Sequence, residues 1–370
     1  MNSDNSEDHK PKLANKQRSR LTSGLSQGKV KPQDIGLKIL AQPVDVEDIE
    51  VDIVAVHGIG VNPIKTWVFK ENNVNWLSHE TMLPAAIPNA RIMAFGYASY
   101  WFGDEAVKLT LDGVARKLLM ALGSARDGCK HRPIVFIGHC FGGLVIQQAY
   151  TIAALHHKDE DFYGIFDSVT GVVFLGTPHY GVQDSFQRQI QGQIYKKVAE
   201  ANIQVQDNIL HSMAPDNDLL VKCVFDFTRT VALEQQQAPK LFCFYEQKPS
   251  RIDLIVGLPN ITQEFIVNGS SGILHGHPCE CLPLDHFSIN KFEDNQDDNY
   301  ISVRRQIVKM VKGSKYIMKG RKIIQVPPMG DYEIIDGHKL QRLEGAGTTR
   351  TKQETVGDEI HNGQISPACY

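Results

Sequence analysis

The sequence predicts an α/β fold with a mostly parallel, doubly wound sheet. Three observations carry that expectation. Short β-branched or aliphatic runs are apolar on both faces, helical apolar repeats lie between them, and one such run passes straight into a helix through a glycine-flanked cysteine. Strands without a polar face need cover on both sides, and intervening helices supply it.

In chain order, Leu37 to Leu40, Val51 to Val56 and Ala90 to Tyr97 are strand candidates. Over Asp104 to Leu122, the positions Val107, Leu111, Val114, Leu118 and Leu122 recur at helical spacing and predict a helix. Pro133 to Gly138 is a short, wholly apolar strand, and Phe141 to Leu155 a helix directly behind it. Val169 to Leu175, Lys240 to Glu246 and Glu264 to Asn268 complete the strands, and Ile301 to Val311 reads as a closing helix. From about 181 to 239 a Gln-rich amphipathic stretch breaks the alternation and reads as a helical insert or cap.

The folded domain is therefore expected over 36–314. Residues 1–35 carry seven Lys or Arg and four acids with almost no apolar periodicity, the composition of a disordered arm. Residues 315–370, with Pro327-Pro328 and a Gly/Thr/Glu-rich run, read as a flexible tail or linker.

Composition excludes several functions. Of 370 residues, 39 are Lys or Arg and 42 Asp or Glu, a net charge of −3, so a general binder of nucleic-acid backbone is not expected. No uncharged apolar run is long enough to span a bilayer. Seven irregularly spaced Cys argue against a secreted disulfide framework and for a reducing compartment, which points to the cytoplasm. No apolar signal segment follows Met1, and Asp4, Glu7 and Asp8 are unlike a mitochondrial presequence.

The most informative stretch is Ile134-Val135-Phe136-Ile137-Gly138-His139-Cys140-Phe141-Gly142-Gly143. Its Gly-x-Cys-x-Gly core, between a strand and a helix, is a nucleophile elbow with Cys in the position usually held by Ser. So sharp a turn needs small residues two before and two after the nucleophile. At the helix N-terminus the dipole favours a thiolate, the reactive form of cysteine.

Val56-His57-Gly58-Ile59-Gly60, the elbow, Phe174-Leu175-Gly176-Thr177-Pro178-His179-Tyr180-Gly181 and the Leu282 to Phe292 block occur in one order across roughly 37–313. In this the sequence resembles the lipase-like α/β-hydrolases. That family includes the serine-active-site-containing protein and the GPI inositol-deacylases, and similar domains begin fungal NACHT receptors. The resemblance implies an α/β-hydrolase fold and a triad in the order nucleophile, acid, base. The family keeps Ser at the elbow, where this chain has Cys140.

On that order, His286 is the expected base, 286 − 140 = 146 residues after Cys140 and just before the last helix, with His275 and His277 as loop-borne rivals. Glu246, at a strand end in a Phe-Tyr-Glu segment like the family's, is the expected acid, and Asp253 the alternative. Asp285 adjoins His286, so their side chains diverge, and His139 is expected to be structural. The resemblance also implies an oxyanion hole from the backbone N–H of Phe141 and of Ile59. Trp101 and Phe102 suggest an acyl pocket, with core packing as their other reading.

No cofactor or metal is expected, since Cys279-Glu280-Cys281 beside His275 and His277 lacks a second knuckle. The expected function is a hydrolase or acyltransferase acting on an ester, thioester or lipid through Cys140, His286 and Glu246. The alternative is an inactive hydrolase fold used for recognition or signalling. The resemblance adds mitochondrial or endoplasmic-reticulum membranes as alternative locations, with peripheral contact rather than a membrane span.

Overall fold

The computed structural model describes residues 30–99, 109–182, 214, 217–251 and 263–324, together with the backbone of 332–335 and 339–342. It divides into a unit ending at Ile324 and a second from Gln325. In the second, Tyr332–Ile335 and Lys339–Arg342 pair as an antiparallel hairpin.

The first unit is organised by a seven-stranded sheet. Its strands are β1 (Gly36–Ala41), β2 (Val51–Val56), β3 (Ala90–Gly96), β4 (Ile134–His139), β5 (Val169–Leu175), β6 (Lys240–Glu246) and β7 (Cys279–Leu282). They lie in the order β1-β3-β2-β4-β5-β6-β7. Only β1 is antiparallel, against β3; the other neighbours run parallel. The four longest helices among the described residues are α1 (Leu111–Ala125), α2 (Phe141–Leu155), α3 (Asp218–Leu233) and α4 (Asp298–Ile324).

Every residue of β2, β3, β4 and β5 is buried, as their largely apolar character requires. Alternate side chains feed two cores. Val54, Phe136, Val172 and Phe174 pack with Leu118, Leu144 and Phe227 of α1, α2 and α3. Ile53, Ala55, Val135 and Val173 pack on the other side with Trp67, Trp76, Tyr300, Val303 and Ile307. The sheet is doubly wound, as the sequence predicts.

Four expectations shift. Of the helix expected over Asp104 to Leu122, residues 104–108 lie outside the described residues, and the described part begins at Leu111, where the Thr110 hydroxyl accepts the Gly113 N–H at 3.2 Å and caps it. The strand expected over Glu264 to Asn268 contributes only Gln263–Glu264, paired with Ser250–Arg251 in a separate ribbon. The seventh strand is instead Cys279–Leu282, paired in parallel with Cys243 to Glu246. It is a one-face-exposed edge strand, so it carries no two-faced apolar signal.

The closing helix also exceeds its sequence signal. It runs to Ile324, past the boundary drawn at 314, with Ile317, Met318 and Arg321 buried. The Arg321 guanidinium donates to the carbonyls of Asp167 and Val169 at 2.8 and 2.7 Å and pairs with Glu234. Within the expected insert, α3 is a layer of the fold rather than a cap, since Leu220, Val224, Phe227 and Val231 are buried against the sheet-covering core. The arm over 1–29 and the insert residues 183–213 lie outside the described residues.

Candidate active site

The elbow forms because local sterics leave few alternatives. Cys140 sits between β4 and α2 at φ 54° and ψ −128°, a backbone region costly for any side chain and held here by its surroundings. Its N–H donates to the Leu175 carbonyl at 3.0 Å, and its carbonyl accepts the Gly143 N–H at 3.0 Å. A Cβ on Gly138 would lie 2.6 Å from the Gly143 Cα, and one on Gly142 would lie 2.1 Å from the Val56 carbonyl oxygen. Both glycines flagged by the motif are thus required by contact. Gly143 is equally constrained, with Thr177 Oγ1 2.0 Å from where its Cβ would stand.

The strands converge on this point from both sides. The β2 exit passes so close to the elbow that a Cβ on Gly58 would sit 2.8 Å from the Cys140 Cβ. Cys140 itself is half-buried, and it interacts with the buried His286 imidazole through a side-chain hydrogen bond and by charge. On the far side of the ring, Nδ1 faces Glu246 Oε2 at 3.1 Å. The Glu246 Oε1 accepts the Val267 N–H at 2.6 Å, and the carboxylate is 2% exposed, which keeps its orientation fixed.

Electrostatics follow from this packing. Burial pushes the His286 imidazole down, but the negative charges of Cys140 and Glu246 outweigh it and raise the pKa to about 10. The Tyr97 phenol is pushed well up by burial and by the Cys140 charge.

The loop bearing His286 is pinned at several points. The His286 N–H donates to Ser250 Oγ at 3.1 Å, and its carbonyl accepts from His139 Nε2 at 3.0 Å. Lys291 donates to the Phe287 carbonyl and to Asn290 Oδ1, and Asn290 Nδ2 reaches the Thr66 carbonyl at 2.9 Å. Asp285 does not face the imidazole; it accepts from the N–H groups of Phe287 and Ser288 and shapes the turn.

Of the residues singled out by sequence, Cys140, His286 and Glu246 are brought together in series. Phe141 is the first residue of α2, so its N–H has no acceptor within the helix. Ile59 lies on the Gly58 loop, and among the described residues its N–H has no acceptor. His275 stacks on Tyr180, with centroids 5.3 Å apart. Asp253, Trp101 and Phe102 lie outside the described residues.

Sequence reasoning missed Ser250, Val267 and the hold of His139 on the base, since a lone Ser or backbone N–H leaves no pattern. Among the described residues no cluster of three or more His, Cys, Asp or Glu is placed to hold a metal. Nor, among them, is any helix long and apolar enough to cross a membrane.

A mostly parallel sheet in this strand order, with a sharp elbow between a central strand and the following helix, is an α/β-hydrolase fold. Residues 53–213 match the family described as "Putative serine esterase (DUF676)". The chain is 26% identical over 154 residues to Protein SERAC1 of Danio rerio, a match covering 36% of this chain and 23% of that protein. It is 23% identical over 153 residues to Protein SERAC1 of Mus musculus, covering 36% and 22%. The shared stretch is thus less than a quarter of those relatives' length. Among solved structures, the Bacillus licheniformis lipase BlEst2 covers 74% of this chain and 97% of its own at 15% identity and a TM-score of 0.41, too distant to bear on the site. The fold is that of an α/β-hydrolase, and the sequence over 53–213 is similar to that putative serine esterase family.

Proposed function

We propose that the protein is an acyl-transferring enzyme, a hydrolase or acyltransferase for an ester or thioester, with Cys140 as nucleophile, His286 as base and Glu246 as its orienting acid. The observation that carries this reading is the single file of Cys140, the His286 ring and the Glu246 carboxylate, with Nδ1 committed to Glu246 at 3.1 Å. That commitment leaves Nε2 for the thiol proton.

The Cys140 proton passes to His286, and the thiolate attacks the substrate carbonyl carbon. The resulting oxyanion is met by the N–H groups of Phe141 and Ile59. As the C–O or C–S bond breaks, His286 returns its proton to the leaving alkoxide or thiolate. A thioester on Cys140 remains. Water or another acceptor, deprotonated by His286, attacks that thioester and regenerates the thiol. Glu246 stabilises the imidazolium throughout without taking its proton. The family's ester chemistry supports the choice of substrate class, and the half-exposed Cys140 is consistent with access from outside.

The test is intact-protein mass spectrometry after incubation with p-nitrophenyl esters and acyl thioesters. A single acyl adduct is expected, mapping to Cys140 and absent from Cys140→Ala. An unlabelled, folded protein would remove the enzymatic reading and leave a recognition domain in its place.

A further inference from the structure

His57 follows β2 directly and is fully buried, yet no step of the reaction above uses it. Its ring makes two hydrogen bonds of opposite sense. Nε2 accepts the Tyr97 backbone N–H at 3.1 Å, so Nε2 carries no proton. Nδ1 therefore holds the proton of the neutral ring and donates it to the Gly58 carbonyl at 2.7 Å. The Tyr97 ring stacks on the imidazole with centroids 4.1 Å apart, and its hydroxyl donates to the His57 carbonyl at 2.8 Å. Burial holds the imidazole pKa down at about 4, so one tautomer persists at neutral pH.

The Gly58 carbonyl belongs to the same peptide unit as the Ile59 N–H. Among the described residues every peptide is trans, and in a trans peptide the C=O and N–H point in opposite directions. Fixing the carbonyl toward His57 therefore fixes the Ile59 N–H away from it. Among the described residues no other hydrogen bond pins that unit. The next N–H, of Gly60, is already bonded to the Ser99 carbonyl at 3.0 Å, whereas the Ile59 N–H has no acceptor among the described residues. The loop has little freedom to be elsewhere, since Gly58 lies against Cys140 and a Cβ there would come within 3.4 Å of Sγ.

We infer that His57 is a positioning residue: as a neutral Nδ1–H donor locked by Tyr97, it sets the rotation of the Gly58–Ile59 peptide that presents the Ile59 N–H to the acyl oxyanion. This rests on the acyl chemistry proposed above. The ring touches no substrate; it acts through one peptide plane. A flipped peptide would turn the Gly58 carbonyl lone pairs toward a developing negative charge, which is worse than an absent donor.

The experiment compares two reactions of one thiol. Acylation of Cys140 by p-nitrophenyl acetate develops an oxyanion, whereas its alkylation by iodoacetamide displaces iodide at a saturated carbon and develops none. His57→Phe keeps a ring to stack on Tyr97 but removes both ring nitrogens. His57→Asn retains a donor near the Nδ1 position. Acylation is expected to fall about 10²-fold in His57→Phe, the size of one lost oxyanion donor. Alkylation should stay within twofold, and His57→Asn should recover at least tenfold of the lost acylation.

Equal acylation in His57→Phe and the natural protein would overturn the inference. So would a parallel fall in both reactions in both variants, because His57 would then merely support the fold. A natural protein that is alkylated but never acylated would sink the acyl reading itself, and with it the oxyanion role of the loop.

Discussion

Strand β2 has a buried polar cluster at each end, and the two are built on opposite plans. Near its start, Asp52 is fully buried and faces three guanidiniums. Arg91 clasps it with two bonds of 2.7 and 3.0 Å, Arg126 pairs with the second oxygen, and Arg132 stands at 3.5 Å. Arg126 also donates to the carbonyls of Lys130 and Arg132. At the other end, His57 leads into a region with the neutral His57 and His139 imidazoles, a strained Cys140 and an Ile59 N–H that has no acceptor among the described residues. One end commits nearly all of its polar groups to one another, with the Arg126 Nε left over, and the other holds a half-buried thiol beside an N–H that has no acceptor among the described residues. The difference teaches that buried charge anchors the fold where its partners match, whereas neutral buried groups can hold strained backbone in place.

Acid should separate the ends most strongly. His57, His139 and His179 are held neutral chiefly by burial, His57 at about 4, His179 at about 3 and His139 well below its ordinary value. Below pH 6.5 the unfolded chain takes up protons that these folded imidazoles refuse. Stability should then fall by up to about 4 kcal/mol per pH unit, about 1.4 for each of the three, until the folded values are reached. Urea unfolding from pH 7 to 5 checks this, and a flat profile would break the contrast. The arginines around Asp52 stay charged throughout that range.

Removing the anchor comes next. Asp52→Ala should cost about 3–5 kcal/mol in unfolding free energy, because it strands buried guanidinium charge. The fraction that remains folded should acylate Cys140 at the natural rate, since Asp52 lies at the far end of β2 from the elbow. Slower acylation in that fraction would show that the ends are coupled.

A subtler change falls on the open end. Glu246→Gln keeps an acceptor near His286 Nδ1 but removes the charge that helps raise this imidazole to about 10. The raised value means the ion pair is fully present below the ordinary pKa of 6.5 and is lost as pH rises through about 10. Without the carboxylate charge, the upper pH limit for acylation of Cys140 by an alkyl ester, whose leaving alkoxide needs the His286 proton, should move down. Acylation should slow by roughly 10²-fold, the scale of lost acid–base catalysis. An unmoved limit would remove Glu246 from the triad.

Much of the open end was legible in the chain itself. The elbow is a local steric problem, and Gly138 and Gly142 solve it within a few residues of Cys140, so its pattern survives in one dimension. The four central strands announce themselves because both faces are buried. The edge strand Cys279–Leu282 does not, as it is short, carries Glu280 and is half-exposed. Its place is decided by register against β6. The same applies to α3, whose amphipathic pattern suits a cap or a sheet layer equally until Phe227 and Val231 meet the core. The last turns of α4 are held by Arg321 reaching backbone carbonyls more than 150 residues away in sequence, |i−j| being 154 and 152.

The sequence alone determined the class of sheet, the position of the elbow and the glycines around it, because those depend on neighbours along the chain. Tertiary structure decided which carboxylate meets which imidazole, with Glu246 and His286 separated by 40 residues and both far from Cys140. It also decided the charge states, since burial and the approach of opposite charges exist only once the strands are assembled. A hydrogen bond from His57 to its own neighbouring peptide is local in sequence, yet its direction depends on Tyr97, placed 40 residues on by the pairing of β2 with β3.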